Sequence, residues 1–300
     1  MGSNPTVSAK NTIKEIADER SKGLRKIDET CKDNRKCQKR DDQKARFLRE
    51  EISHDYPDPA EEDQGKIMSI IVAGDIHGNF AFLNQVLNSH KKITMVLQCG
   101  DLGWWPRAHG KIFASGLNDF IKFDNYSLKN KDVKIFWCPG NHEDWEELIK
   151  LESENKWEIM PNVFYMPKGS TMDLPDGRKV LFMGGGLSID AKDRIPRSGA
   201  FGWFWEETIT QKDIEELPDE KIDIVISHTA PNEFVIPDYH AEYGHDPSRD
   251  ALSYVLEKYK PPRWYFGHMH QFCKGIYNEC KWIGLSSVGG FPGRWWVPLE

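Results

Sequence analysis

The sequence of 300 residues has no apolar run long enough to cross a membrane. The longest, Ile67 to Gly74, is interrupted by Ser69 and falls far short of the ~18 residues a span requires, so no membrane contact is expected. Cysteine is sparse. The six residues (Cys31, Cys37, Cys99, Cys138, Cys273 and Cys280) form no CxxC pair, which excludes a disulfide scaffold and predicts reduced thiols, two or three of them buried beside strands. An excess of positive charge is also missing: the net charge is −7, against a whole-molecule nucleic-acid binder. Met1 to Lys10 contains no apolar core of the secretory kind, so a cytoplasmic protein is expected. Apolar residues are nonetheless plentiful, at 39% without glycine, and wholesale disorder is excluded.

Charge is unevenly spread along the chain. Residues 1–66 hold 15 basic and 15 acidic side chains, so all of the net −7 belongs to residues 67–300. Within the first part, Lys22 to Arg49 carries eleven basic against five acidic residues. Ile13, Ala17, Leu24, Ile27 and Cys31 follow a 4-3 spacing, but Arg20, Asn34 and Gln38 fall on the same seam. This predicts a charged, partly helical extension and not a sustained coiled coil. Tyr56-Pro57-Asp58-Pro59 and the acidic residues after it read as a linker. The expected organisation is an extension with linker over 1–66 and a catalytic domain over 67–300. Nucleic-acid or protein contact through residues 10–52 stays an open reading, and the sequence sets no oligomeric state.

From residue 67 onward, short apolar runs recur at Ile67–Ala73, Met95–Cys99, Val133–Cys138, Val180–Met183, Ile222–Ile226 and Trp264–Phe266. Runs without alternation suit strands buried on both faces. Helix-capable segments around Phe80–Ser89, Lys111–Phe123 and Glu143–Glu152 separate the early ones, predicting βαβ units and a largely parallel sheet. The turn at Pro175-Asp176-Gly177 adds an antiparallel portion.

Polar residues gather where these strands end. Asp75-Ile76-His77 follows the first, Gly100-Asp101 the second, Gly140-Asn141-His142-Glu143 the third, Ser227-His228-Thr229-Ala230-Pro231 a later one and Gly267-His268-Met269-His270 the last. Ligands of open α/β sheets bind beyond the carboxyl ends of strands. Each motif alone is accounted for by surface polarity or a capped turn; five in order are not. Imidazole and carboxylate suit Zn, Mn, Fe or Ni, and the cluster has no thiolate of the structural-zinc kind. Alternation in His268-x-His270 points both rings to one face if the backbone is extended. Seven candidate ligands exceed the need of one ion and suit two that share a carboxylate.

This ordered series over about residues 67–270 resembles the calcineurin-like metallophosphoesterases. The resemblance implies an α/β fold, a four-layer αββα sandwich of two mixed sheets flanked by helices, with the N-terminal charged helical extension appended. It implies two divalent ions, with Asp75, His77 and His270 on the first, Asn141, His228 and His268 on the second, and Asp101 as the bridge. His142 matches the family's catalytic histidine outside the ligand set. The activity implied is hydrolysis of a phosphate ester by a metal-bridging hydroxide.

Departures from the family narrow the substrate. The protein Ser/Thr phosphatase branch continues its second motif as G-D-x-V-D-R-G, whereas Trp104, Trp105 and Pro106 stand here in place of Asp, Arg and Gly. Protein phosphatase activity is disfavoured, and either Glu143, Asp144 or a backbone carbonyl holds His142 or the contribution of His142 is smaller. The full G-H-x-H resembles the phosphodiesterase and nucleotidase branches. Trp104 and Trp105 are candidate stacking faces for a base, and Arg107 a candidate replacement guanidinium. Gly184 to Asp190 reads as a cleft rim, with Arg194 and Arg197 as candidate phosphate contacts beside the aromatic cluster Phe201–Trp205. The segment His240–Asp246 reads as a flap with exposed histidines. The expected function is a phosphodiesterase or nucleotide hydrolase; the rivals are a phosphomonoesterase, a nuclease and a non-catalytic binding module.

Overall fold

A computed structural model describes residues 70–107, 133–194, 202–237, 239, 245–289 and 294–300. All of them lie in the compact unit Tyr56–Glu300. The expected extension and linker, the helix at Lys111–Phe123, Arg197, Phe201 and most of His240–Asp246 fall outside the described residues.

In chain order the strands are β1 (Ile70–Ala73), β2 (Met95–Gln98), β3 (Lys134–Trp137), β4 (Glu158–Met160), β5 (Val163–Tyr165), β6 (Thr171–Asp173), β7 (Lys179–Met183), β8 (Ile224–Ser227), β9 (Arg263–Phe266), β10 (Cys273–Tyr277), β11 (Cys280–Gly284) and β12 (Trp296–Pro298). They form two six-stranded sheets, ordered β12-β1-β2-β3-β5-β4 and β10-β11-β9-β8-β7-β6. Each has four parallel central strands and antiparallel strands at its edges. The hairpin from β6 to β7 turns at Asp176-Gly177, where Gly177 has φ +85°, a left-handed conformation glycine adopts without steric cost.

Three apolar layers follow from the period-two alternation of strand side chains. On β1, Ile71 and Ala73 face an outer core while Val72 faces an inner one; on β7, Leu181 and Met183 face the other outer core while Val180 and Phe182 turn inward. The inner layer joins the two sheets through Val72, Leu97, Phe182, Ile226 and Tyr265. Helices cover the outer faces. Helix α1 (Phe80–Ser89) buries Phe80, Leu83, Val86 and Leu87, and α2 (Trp145–Ser153) buries Trp145, Leu148 and Leu151, the three-to-four spacing of an amphipathic helix. Two short helices, α3 (Ala191–Arg194) and α4 (Gln211–Glu215), precede α5 (Pro247–Tyr259). Asp246 caps α5 by accepting from Ser248 and Arg249 N–H, with Pro247 in its first turn, the arrangement favoured at helix starts. The result is the expected four-layer sandwich, helix–sheet–sheet–helix. Cys99, Cys138, Cys273 and Cys280 are all free and buried, more than the two or three expected: Cys99 and Cys138 directly follow β2 and β3, Cys273 and Cys280 begin β10 and β11, and all four pack in apolar layers.

Candidate metal centre

The parallel strands of both sheets run their carboxyl ends toward one edge, and the loops there are bonded to each other. Ile76 and His77 N–H donate to Asp101 O at 3.1 and 2.7 Å, Gly78 N–H to Leu102 O at 2.8 Å, and Gly267 N–H to His228 O at 2.9 Å. Buried Gln98 is the polar exception at the end of β2. Its amide donates to Gly74 O and Gly100 O and accepts from Gly100 N–H, tying the first two turns together. His77, Asp101, His268 and His270 all have φ between 49° and 65°. Non-glycine residues adopt this left-handed backbone sparsely, and it concentrates at functional sites.

Asp75, His77, Asp101 and His270 bring one ligand atom each within 4.8 Å of one another. His270 Nε2 is 3.0 Å from both Asp75 Oδ2 and His77 Nε2, and His77 Nε2 is 3.8 Å from Asp75 Oδ2 and 3.7 Å from Asp101 Oδ2. The other three candidates form a second group. His228 Nε2 lies 2.9 Å from Asn141 Oδ1 and 3.5 Å from Asp101 Oδ1, and the rings of His228 and His268 have centroids 4.7 Å apart. All seven are thus brought together, with Asp101 adjoining both groups.

The condition for His268 and His270 to share one face, an extended backbone, is not met. Both residues are in the left-handed region, in the turn after β9. His270 joins Asp75 and His77, and the ring of His268 lies beside that of His228, tilted at 58°.

The donor set fits divalent cations. Cys99 O accepts from His228 Nδ1–H at 2.8 Å, which leaves Nε2 as the ring atom able to ligate, facing the acceptor oxygens of Asn141 and Asp101. A cation satisfies such a meeting of acceptors. Burial pushes the Asp75 carboxyl up, but the hydrogen bond to His270 and the charge of His228 outweigh it and hold the group below 3.8. Burial acts on Asp101 in the same sense and is overcome by His228, His142 and His77. Burial, reinforced by His228, pushes His268 down to about 3. The hydrogen bond to Asp75 raises His270 above 6.5.

Glycines give the carboxylates their room. A Cβ at Gly140 would stand 1.9 Å from Asp101 Oδ1, and one at Gly267 2.0 Å from Asp75 Oδ1; both carboxylates accept backbone N–H groups, from His142 at 2.8 Å and from His268 at 2.9 Å.

His142 lies beside this cluster, its ring 5.8 Å from that of His77. Burial lowers its pKa, with Arg194 and His77 assisting and Asp101 opposing. Neither expected side chain holds the ring. Glu143 accepts from Gly103 and Trp104 N–H, and Asp144 accepts from Arg107. It is the backbone of His142 that is held, with Trp105 Nε1–H donating to its carbonyl at 2.8 Å.

Three of the expected substrate contacts are corrected. Trp104 is 8% exposed in the outer core of the first sheet and offers no stacking face. The Arg107 guanidinium is forked onto Asp144 and also bonded to Glu146, so it anchors α2. Arg194 is 4% exposed; it pairs with buried Glu207 and donates to Ser188 Oγ and to the carbonyls of Asn141 and Gly202. It stands behind Asn141 and is not among the residues that line the cleft over the cluster. Phe204 packs against the outer core of the first sheet.

A cleft of about 410 Å³ opens over the cluster. Asp101, Asn141, His142, His268 and His270 form its floor, and Leu187, Ile189, Asp190, Ile236, Tyr239 and Met269 are among its walls. The expected rim loop therefore does contribute, through Leu187, Ile189 and Asp190. Sequence reasoning missed Ser188, Glu207, Gln98 and the wall at Ile236 and Met269. Gln98 alone carried a signal, as a polar residue closing an apolar strand.

A profile of the calcineurin-like phosphoesterases matches residues 68–272, and the chain belongs to that family. Its fold and metal-capable cluster are those of a phosphoesterase. No curated protein matches the sequence. Among solved structures, it is similar to a phosphopantetheinyl hydrolase from Mycobacterium tuberculosis, at 11% identity and TM-score 0.42 over 77% of this chain and 95% of that one. It is also similar to an archaeal phosphodiesterase, at 11% identity and TM-score 0.35 over 74% and 86%. A third is a conserved phosphoesterase-like protein of Streptococcus pneumoniae TIGR4, at 12% and 0.31 over 73% and 72%. Likenesses this distant carry no weight about substrate. Among the described residues, no helix is long and apolar enough to cross a membrane.

Proposed function

We propose that the chain is a dinuclear metal-dependent phosphohydrolase acting on phosphodiester or nucleotide bonds. The observation that carries this reading is the placement of Asp101, with Oδ2 toward His77 and Oδ1 toward His228. Asp75, His77 and His270 would hold one ion and Asn141, His228 and His268 the other, with Asp101 shared. Bound there, divalent ions supply charge neutralisation for a phosphoryl group and acidity to a water molecule.

The chain's own residues do the rest. His142, with its pKa lowered by burial, is neutral at neutral pH and has one N–H to donate to a phosphoryl oxygen, where charge develops as the ester bond breaks. This favours oxyanion stabilisation over protonation of the leaving group. Leu187, Ile189, Ile236 and Met269 give the organic part of the substrate an apolar wall and restrict water on that side, a composition usual for small-molecule sites. The catalytic unit is residues 67–300, with 1–66 a separate extension.

Hydrolysis of bis-p-nitrophenyl phosphate and of p-nitrophenyl phosphate by metal-stripped protein, before and after adding Mn, Zn, Ni or Mg, tests the reading. Diester preference restored by metal and abolished in Asp101→Ala supports it. A folded, metal-loaded protein that turns over neither compound overturns it in favour of a binding module.

A further inference from the structure

The side chain of Asn141 must present oxygen, not nitrogen, to a cation, yet a side-chain amide has nearly the same shape either way round. Its neighbours have to distinguish the two ends. Here the neighbour is the Ser188 hydroxyl, which accepts from Asn141 Nδ2 at 2.9 Å. Ser188 has a single proton, and it donates this to Glu207 Oε2 at 2.5 Å. The remaining capacity of Ser188 Oγ is for acceptance, from Asn141 and from Arg194 Nη1 at 2.8 Å.

Glu207 is in turn committed as an acceptor. Its Oε1 receives Arg194 Nη2 at 2.5 Å and Phe204 N–H at 3.1 Å; its Oε2 receives Ser188 and Arg194 Nη1 at 3.1 Å. Four donors fill both oxygens. Arg194 also donates to the backbone carbonyl of Asn141 at 3.1 Å, so one guanidinium holds that residue's main chain and, through Ser188, its side chain. Ser188, Arg194 and Glu207 are all buried, away from water that could satisfy a flipped amide.

We propose that Ser188, Glu207 and Arg194 are positioning residues: a buried one-way hydrogen-bond relay that fixes the Asn141 amide with Oδ1 toward His228 and the cation. Flipping the amide would set its oxygen against a Ser188 oxygen with no proton to share, and would put N–H groups, which cannot ligate, where the cation needs an oxygen. The relay rests on the reading of Asn141 as a ligand. Loss of an outer partner of this kind typically weakens metal binding about 10–100-fold.

The test is a Co²⁺ titration of metal-stripped full-length protein at pH 8, read by visible absorption and by metal content after desalting, with thermal melting as the check on folding. Ser188→Ala is expected to bind the second ion about 10–100-fold more weakly while melting as a folded protein. The informative comparison repeats this substitution in an Asn141→Asp background. A carboxylate ligates equally well either way round and has no N–H for Ser188 to accept, so there Ser188→Ala is expected not to weaken the affinity. Equal losses in the two backgrounds would mean general disruption and would overturn the relay. Unchanged binding by Ser188→Ala, with a loss in Asn141→Ala, overturns the relay alone. Unchanged binding by Asn141→Ala overturns the ligand reading and the relay with it. Glu207→Gln, equal in size, serves as the second variant: its amide can donate to Ser188, release the serine proton toward Asn141 and weaken the same ion.

Discussion

His268 and His270 stand two residues apart and titrate in opposite senses. Burial, with His228, pushes His268 down to about 3, so its ring is neutral across the working range and no proton competes for its lone pair. His270 is raised by its bond to Asp75, so a proton competes with a cation for its ring at higher pH than for an ordinary histidine. The sign follows: falling pH protonates His270 and weakens the Asp75–His77–His270 group, while it spares His268. Competition titrations with a chelating dye from about pH 8 down to about pH 6 are therefore expected to show one ion released early, with about one proton taken up per ion lost. Two ions leaving together, or neither, would contradict the assignment of the two histidines to different groups.

At the scale of elements, the strand-end turns hold the carboxylates and tolerate no added bulk. Gly267→Ala would bring a Cβ to 2.0 Å from Asp75 Oδ1, so the turn or the carboxylate must shift. A loss of about 1–3 kcal/mol in urea unfolding is expected, together with weaker metal binding; full metal affinity at unchanged stability would refute the close approach. Arg107, corrected from substrate contact to helix anchor, gives a different signature. Its removal leaves buried Asp144 without its fork. Allowing for screening on the exposed side of the guanidinium, Arg107→Ala is expected to cost about 1–2 kcal/mol with KM unchanged; a raised KM at full stability would return Arg107 to the cleft.

The same scale shows what the sequence made legible. Strands β2, β3, β7 and β9 sit where apolar runs lie because both their faces are covered, and the ligand residues stand out because polar side chains directly after such strands have few other reasons to recur. The partners of Arg194 were hidden. Ser188 and Glu207 are six and thirteen positions away, on a loop and a 3-10 turn without periodicity, and nothing in composition separates a buried arginine from an exposed one. Trp104 misled for a related reason: proximity to Asp101 along the chain says nothing about which side of the turn its ring occupies.

For the whole molecule, the decisive feature is the inner apolar layer. Phe182 is fully buried there between the sheets, and Phe182→Ala is expected to lower unfolding free energy by about 3–5 kcal/mol, measured by urea denaturation of metal-free protein; a loss below about 1 kcal/mol would show the layer to be loosely packed. That layer has a second consequence. Asp75, His77, Asp101 and Asn141 follow strands of one sheet, whereas His228, His268 and His270 follow strands of the other. Each of the two proposed groups of ligands thus spans the seam, and the thickness of the hydrocarbon between the sheets would set the bite of both. Val72, Leu97 and Phe182 act as shims: a methylene added or removed there would retune the fit to larger or smaller ions from a distance, without touching any atom that binds one.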